Sequence, residues 1–158
     1  MPLSGSASDA DDRLKLDRQL CFPLYAATNL LQRLYRPLLA PLGLTYSQYL
    51  VMMVLWDRKS VSVGELQNCL YLDVGTLSPL LKRMERDGLV TRKRDPADER
   101  RVLVNLTPHG DKLKSAASQV PIMLAANFNS DPADMQQLYE LSTTLVGRLS
   151  DAVTACKD

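Results

Sequence analysis

The chain has 158 residues, enough to bury a sizeable core as one domain or as one domain with an extension. Its 19 lysines and arginines stand against 18 acidic residues, a formal charge of +1. That balance excludes indiscriminate coating of nucleic acid but permits a local basic patch. Three widely spaced cysteines (Cys21, Cys69 and Cys156), with no CxxC pair, exclude a disulfide framework and a zinc site. No apolar run is long enough to span a bilayer, and the N-terminus lacks a charged-then-apolar signal. The expectation is a soluble cytoplasmic protein that needs no cofactor or metal and makes no membrane contact. Hydrolytic and nucleotide-binding motifs are missing, and the single histidine, His109, reads as a surface or capping residue rather than a base.

Residues 1–12 are small and polar and are expected to be disordered, leaving residues 13–158 as a single domain. From Arg13 to Ala40 the pattern is helical, with Leu20, Leu24, Ala27, Leu31, Leu34 and Leu38 as an apolar stripe widened by Phe22, Leu30 and Leu39. Pro23 requires either a bend or an opening turn at Leu20-Cys21-Phe22. Leu42-Gly43-Leu44 breaks the helix. Thr45 caps another, which ends near Arg58 and has Tyr49, Met52, Met53 and Trp56 on its inner face. Ser60-Val61 is a candidate short strand.

The stretch from Ser62 to Leu106 organises the rest. Ser62 with Glu65 forms a capping-box pattern for a helix over Val63 to Leu70, and Tyr71-Leu72 makes a turn. Asp73 then caps a second helix running to about Asp87, and Gly88 supplies the left-handed end. On that helix Leu77, Leu80, Leu81 and Met84 face a core. Gly75, Pro79, Lys82 and Arg86, flanked by Thr76 and Arg83, form the opposite stripe. Leu89 to Arg94 and Arg101 to Leu106 read as strands, with Val102, Val104 and Leu106 alternating toward one face. They are joined by a polar loop, Asp95 to Arg100. A helix-turn-helix followed by a charged hairpin is a winged helix-turn-helix, whose hairpin tip can place an arginine over a DNA minor groove.

After the hairpin, Thr107-Pro108 starts a helix that runs toward Pro121 and resumes to Ala126; a loop follows from Asn127 to Asp131. Asp131-Pro132 starts a last helix carrying Met135, Leu138, Leu141, Leu145, Leu149 and Ala152. The fold expected is mainly α with a small β wing. Residues 45–107 form the winged helix-turn-helix core; residues 13–44 and 108–158 form flanking N- and C-terminal dimerisation helices. Both flanks are too apolar to stand alone, which points to a homodimer on a pseudo-palindromic double-stranded operator.

The run "LYLDVGTLSPLLKRMERDGLVTRKRDPADERRVLVNLTPHG" resembles the DNA-binding core of the MarR family, and "DERR" matches that family's wing signature. The resemblance implies a transcriptional regulator whose Arg100 enters the minor groove, held by Asp98. Gly75, Thr76 and Ser78 are expected at base edges or nearby phosphates, and Lys82 at a phosphate; Arg83, Arg86 and Arg94 complete the expected DNA-binding set.

Among the cysteines, Cys69 reads as a small buried hydrophobe beside Leu66, Leu70 and Leu72, and Cys156 lies near the chain end. Cys21, which alone would also be taken as core, differs in having Tyr25 one turn away and Tyr35 nearly in phase with it. Tyr35 stands about 20 Å further along the same helix, so the two can meet only between subunits. Phenolic donors and a helix N-terminus would stabilise a thiolate there. "LCFPLY", "YRPLL" and "GLTYSQYLV" resemble the OhrR branch of the family, the organic-hydroperoxide-sensing repressors. By that resemblance Cys21 is the redox-sensing residue and Tyr25, Tyr35 and Tyr46 hold its thiolate. Some members carry a second, resolving cysteine near the position of Ala125-Ala126. The alanines here imply either capping by a low-molecular-weight thiol or a substituted two-cysteine protein.

The leading expectation is a non-enzymatic repressor that leaves its operator when organic hydroperoxide oxidises Cys21. One rival is a MarR-type repressor relieved by a small aromatic ligand, with Cys21 as packing. The other is a thiol peroxidase acting through Cys21.

Overall fold

The computed structural model describes residues 12–128 and 131–156; the expected N-terminal tail, except Asp12, and the middle of the 127–131 loop lie outside these residues. A short 3-10 turn, Leu16–Arg18, precedes helix α1 (Cys21–Leu39). The single helix expected from Arg13 is therefore interrupted, and the opening-turn alternative for Pro23 is the one observed. Pro23 occupies the third helical position, where its missing N–H costs no intrahelical bond. Asp12 is not a free surface charge: it pairs with Lys15 at 2.8 Å and also with Arg18.

A 3-10 turn (Ala40–Leu42) closed by Gly43 leads into α2 (Tyr46–Arg58). Thr45 begins α2 with a full capping box, and its reciprocal partner is Gln48. Strand β1 (Ser60–Ser62) then feeds α3 (Val63–Leu70), where Ser62 and Glu65 form the expected capping box. Tyr71 turns the chain in the left-handed region, at φ 53°, before α4 (Val74–Arg86). Asp73 accepts from the Thr76 amide at 2.7 Å, so the α4 cap falls where the sequence placed it. Gly88, at φ 71°, ends that turn of chain as expected.

Strands β2 (Val90–Asp95) and β3 (Asp98–Leu106) form a hairpin, and β1 joins it on the far side of β3, all antiparallel, in the order β1-β3-β2. The polar loop expected from Asp95 to Arg100 is much shorter, because only Pro96 and Ala97 lie between the strands. Arg94 donates to the Glu99 carbonyl at 2.6 Å, and the Asp95 carboxylate caps the Ala97 amide at 2.9 Å; these bonds carry the ladder into sequence with poor strand propensity. The register slips between Arg94 and Asp95, a bulge that puts Glu99, Arg100 and Arg101 opposite no partner on β2. Of the alternating trio on β3, only Val104 is fully buried; Val102 and Leu106 are half-buried.

Helix α5 (Pro108–Ala117) is capped by Thr107. The chain breaks at Ser118-Gln119, two residues before Pro121, and continues as α6 (Val120–Asn127) and α7 (Pro132–Ala155). Two compact units divide inside α6, after Leu124. The first carries a core of Leu39, Val51, Met52, Leu55, Leu66, Leu77, Leu81, Met84, Val90 and Val104, contributed by α1 to α4 and the sheet. Burying such a side chain stabilises by about 1.5–3 kcal/mol, so Leu77, Leu81 and Met84 together fix the rotation of α4 about its axis. Gly110 is a close-approach position. A Cβ there would collide with the Leu89 carbonyl oxygen and touch Leu106 and Met52, while the Gly110 carbonyl accepts from the buried Trp56 indole at 2.9 Å. In the second unit, α7 buries no side chain. Among the described residues no single helix is long and apolar enough to cross a membrane.

Candidate DNA interface and thiol site

Because its apolar stripe is held in the core, α4 must turn Gly75, Thr76, Pro79, Lys82, Arg83 and Arg86 to solvent, and all six are exposed. Ser78 is half-buried and lines a cleft of about 440 Å³ with Ser62, Gln67, Arg92, Arg100 and Arg101. The Thr76 hydroxyl is held by Asp73 at 3.1 Å. Arg86 pairs with Asp87 at 3.3 Å, whereas Lys82 and Arg83 make no salt bridge among the described residues. They are the cations of α4 most available to an external anion.

On the wing, Asp98 accepts from both the Arg100 amide (3.1 Å) and its Nε (3.2 Å). This fixes the root of a side chain that is otherwise 92% exposed and points into solvent. Arg94 is held by the Glu99 carbonyl and serves the hairpin itself. Two further cations, not singled out by the sequence, are tied inward: Arg92 to Glu85 of α4 and Arg101 to Glu65 of α3. Their partners lie 7 and 36 residues away. Only the alternation that puts Arg92 on the Val90 side of β2 could have hinted at the first.

At the thiol site, Cys21 is the first residue of α1 and is exposed, as are Tyr25 one turn later and Leu20 before it. The core reading that position alone would have given Cys21 does not hold in this chain. Cys69, expected to be buried, is also exposed, and Cys156 caps α7 in an exposed position. Met53, expected on the inner face of α2, is 41% exposed. Tyr35 and Tyr46 do come together, their ring centroids 4.9 Å apart, and Tyr49 joins them at 5.9 Å from Tyr35 and 6.2 Å from Trp56. The sequence places Tyr49 on the inner face of α2 and not in the phenol set; it is buried, and it also belongs with the phenols. Burial raises the pKa of all three phenols above the ordinary value of 10.0; for Tyr35 the neighbouring phenols add to the effect. All three are therefore protonated at neutral pH and can donate a hydrogen bond. Cys21 and Tyr35 stand 14 positions apart on one helix, a separation of about 21 Å.

The profile of the family described as "Transcriptional regulator SarA/Rot" matches residues 33–117. The chain is 44% identical over 138 residues to the organic hydroperoxide resistance transcriptional regulator of Bacillus subtilis (strain 168), covering 87% of this chain and 94% of that one. It is 50% identical over 116 residues to the HTH-type transcriptional regulator TtmR of Methylorubrum extorquens (strain PA1), covering 73% and 60% of the two chains. Among solved structures, reduced AbfR bound to DNA, a Staphylococcus epidermidis protein, superposes with a TM-score of 0.72 at 29% identity over 90% of this chain and 99% of that one. With its three-stranded wing, its helix-turn-helix and these relatives, the chain belongs to the MarR family of winged-helix transcriptional regulators, on its organic hydroperoxide resistance branch.

Proposed function

We propose that the protein is a dimeric repressor that binds a pseudo-palindromic operator and releases it when an organic hydroperoxide oxidises Cys21. The observation that carries this reading is the convergence of Tyr35 and Tyr46 at 4.9 Å, with burial keeping both phenols protonated. Two neighbouring phenol donors suit an anion, and in an antiparallel dimer the Cys21 thiolate of the partner would reach them. DNA is engaged by α4 through Gly75, Thr76, Ser78, Lys82 and Arg83, and by the wing through Arg100. The relatives' names support both halves of the reading: one is an organic hydroperoxide resistance regulator, and another has been captured on DNA.

Chemically, the thiolate attacks the peroxide O–O bond, giving a cysteine sulfenic acid and the alcohol. A small thiol then displaces water from the sulfenic acid and leaves a mixed disulfide. The added bulk crowds the phenols, and a small rotation of the two subunits spoils the roughly 34 Å spacing that two recognition helices need. Regulation, not turnover, is the role of the thiol. The test compares Cys21→Ser with Cys69→Ser and Cys156→Ser, each titrated with an organic hydroperoxide plus a small thiol while operator binding is followed. Only Cys21→Ser should stay on DNA. If Cys21→Ser still releases it and one of the other variants does not, the sensor is that other cysteine.

A second reading rests on the cleft of about 290 Å³ lined by Tyr49, Met53, Trp56, Asp57 and Lys114. Its aromatic walls suit a small aromatic ligand as inducer, with Asp57 and Lys114 offering one charge of each sign. In that case such a ligand would weaken operator binding and peroxide would leave it unchanged.

A further inference from the structure

The wing and the recognition helix are separate elements joined by a short connection, yet DNA requires them at one fixed spacing. Strand β2 is an edge of the sheet, so alternate backbone amides along it have no strand partner. One of them, the Arg92 amide, donates to Glu85 Oε1 at 2.9 Å. The same carboxylate takes the Arg92 guanidinium side-on, with Nε at 3.0 Å and Nη2 at 2.7 Å from Oε2. Glu85 belongs to the last turn of α4, the helix that carries Lys82 and Arg83. A second carboxylate, Glu65 of α3, takes Arg101 at 3.3 Å, and Arg101 also lies 3.9 Å from Asp95 at the hairpin turn. Arg92 and Arg101 bracket the wing on both strands, and Arg94 and Asp98 stiffen the part that carries Arg100.

We infer that Glu85 is a positioning residue for operator recognition: a strut that locks β2 to α4 and so fixes where Arg100 stands relative to the recognition helix. This inference rests on the DNA-binding reading and adds to it a role for an acidic residue on a face that meets phosphates. Charge alone gives the opposite sign. Removing a carboxylate from such a face should tighten binding to any duplex, whereas losing the strut weakens binding to the operator while sparing non-specific binding.

The experiment is a double-mutant cycle on the full-length protein, with Kd measured on operator and on unrelated duplex at one salt concentration. Arg100→Ala alone is expected to cost about tenfold or more on operator. Glu85→Gln, nearly isosteric, is expected to lower the operator-to-unrelated ratio by about tenfold. In the Glu85→Gln background Arg100→Ala should then cost less than about threefold, since the arginine is no longer held in place. Arg92→Gln, which breaks the strut from the other side, should reproduce the loss and guards against a folding defect peculiar to one variant. A role in stability alone would leave the cost of Arg100→Ala unchanged in every background. Independent, multiplicative losses, or operator affinity that is unchanged or higher in Glu85→Gln, overturn the strut. Wild-type protein that binds no duplex even at low salt overturns the DNA-binding reading itself.

Discussion

Tyr35, Tyr46 and Tyr49 show how much a single side chain's surroundings decide. Burial disfavours the phenolate of each, and at Tyr35 the neighbouring phenols oppose ionisation further. The folded-state pKa values therefore lie above the unfolded ones. The linked stability is fully present below pH 10 and is lost as pH rises through the raised values. An alkaline absorbance titration should find three of the six tyrosines ionising clearly later than the rest; all six titrating together near pH 10 would contradict the packing of the cluster. Helical spacing alone shows that Tyr25 and Tyr35 share an element with Cys21. It does not show that Tyr49 completes the cluster, because that depends on how α1 crosses α2. Cys69 was misread for a related reason. Val63, Leu66 and Leu70 take the inner face of α3, and at about 100° per residue Cys69 falls about 60° beyond Leu66, on the outer side.

At the scale of elements, the parts governed by local chemistry were readable from the chain. Ser62 with Glu65, Asp73 with Thr76 and Thr107 with Gly110 form caps where the residue types place them, and Gly88 ends its helix. The wing was only half readable. Asp95, Asp98 and Glu99 have little strand preference; the hairpin is extended there by Arg94, which bonds across it to the Glu99 carbonyl, and by Asp95, which caps the Ala97 amide within the turn. Alternation along β2 hints at most that Arg92 faces inward; that Glu85 meets it, and that Glu65 meets Arg101, depends on elements whose mutual placement is set by the core. Both glutamates have pKa values below the ordinary 4.5: Glu85 through its hydrogen bonds from Arg92, and Glu65 chiefly through those from Ser62, with Arg101 contributing less. A depressed carboxylate pKa gives stability that is present above 4.5 and lost as pH falls through the folded value. The wing should therefore stay locked at pH 5 and above and loosen only below about 4.5. Amide exchange at Arg92, followed by NMR from pH 6 to pH 3.5 after correction for intrinsic rates, reports this directly. Protection of that amide as strong in Glu85→Ala as in the wild type at pH 6 would show that the carboxylate is not what holds it.

For the whole molecule the decisive feature is apolar surface at both ends of the chain. Leu20, just before α1, is 70% exposed, and on α1 Leu30 is 57% exposed, Leu24 40% and Leu34 37%, along the stripe that the sequence reads as too apolar to stand alone. On α7, Leu138, Leu141, Leu149 and Val153 are each more than half exposed. Single exposed leucines are ordinary, but two long helices with apolar faces open to water are not, and none of the 24 residues of α7 is buried. A second copy of the chain is the economical cover, and a two-fold partner would also bring Cys21 of one subunit to the phenols of the other. Light scattering should therefore give twice the chain mass at micromolar concentration, and the melting temperature should rise with protein concentration, as expected when association and folding are linked. The paired substitution Leu24→Glu with Leu138→Glu should produce monomer or unfolded chain and abolish operator binding. It should also slow the reaction of Cys21 with organic hydroperoxide, because the phenols that favour the thiolate would then be on a separate molecule. A folded wild-type monomer with undiminished Cys21 reactivity would mean that the apolar faces serve another purpose and that the thiol is activated within its own chain.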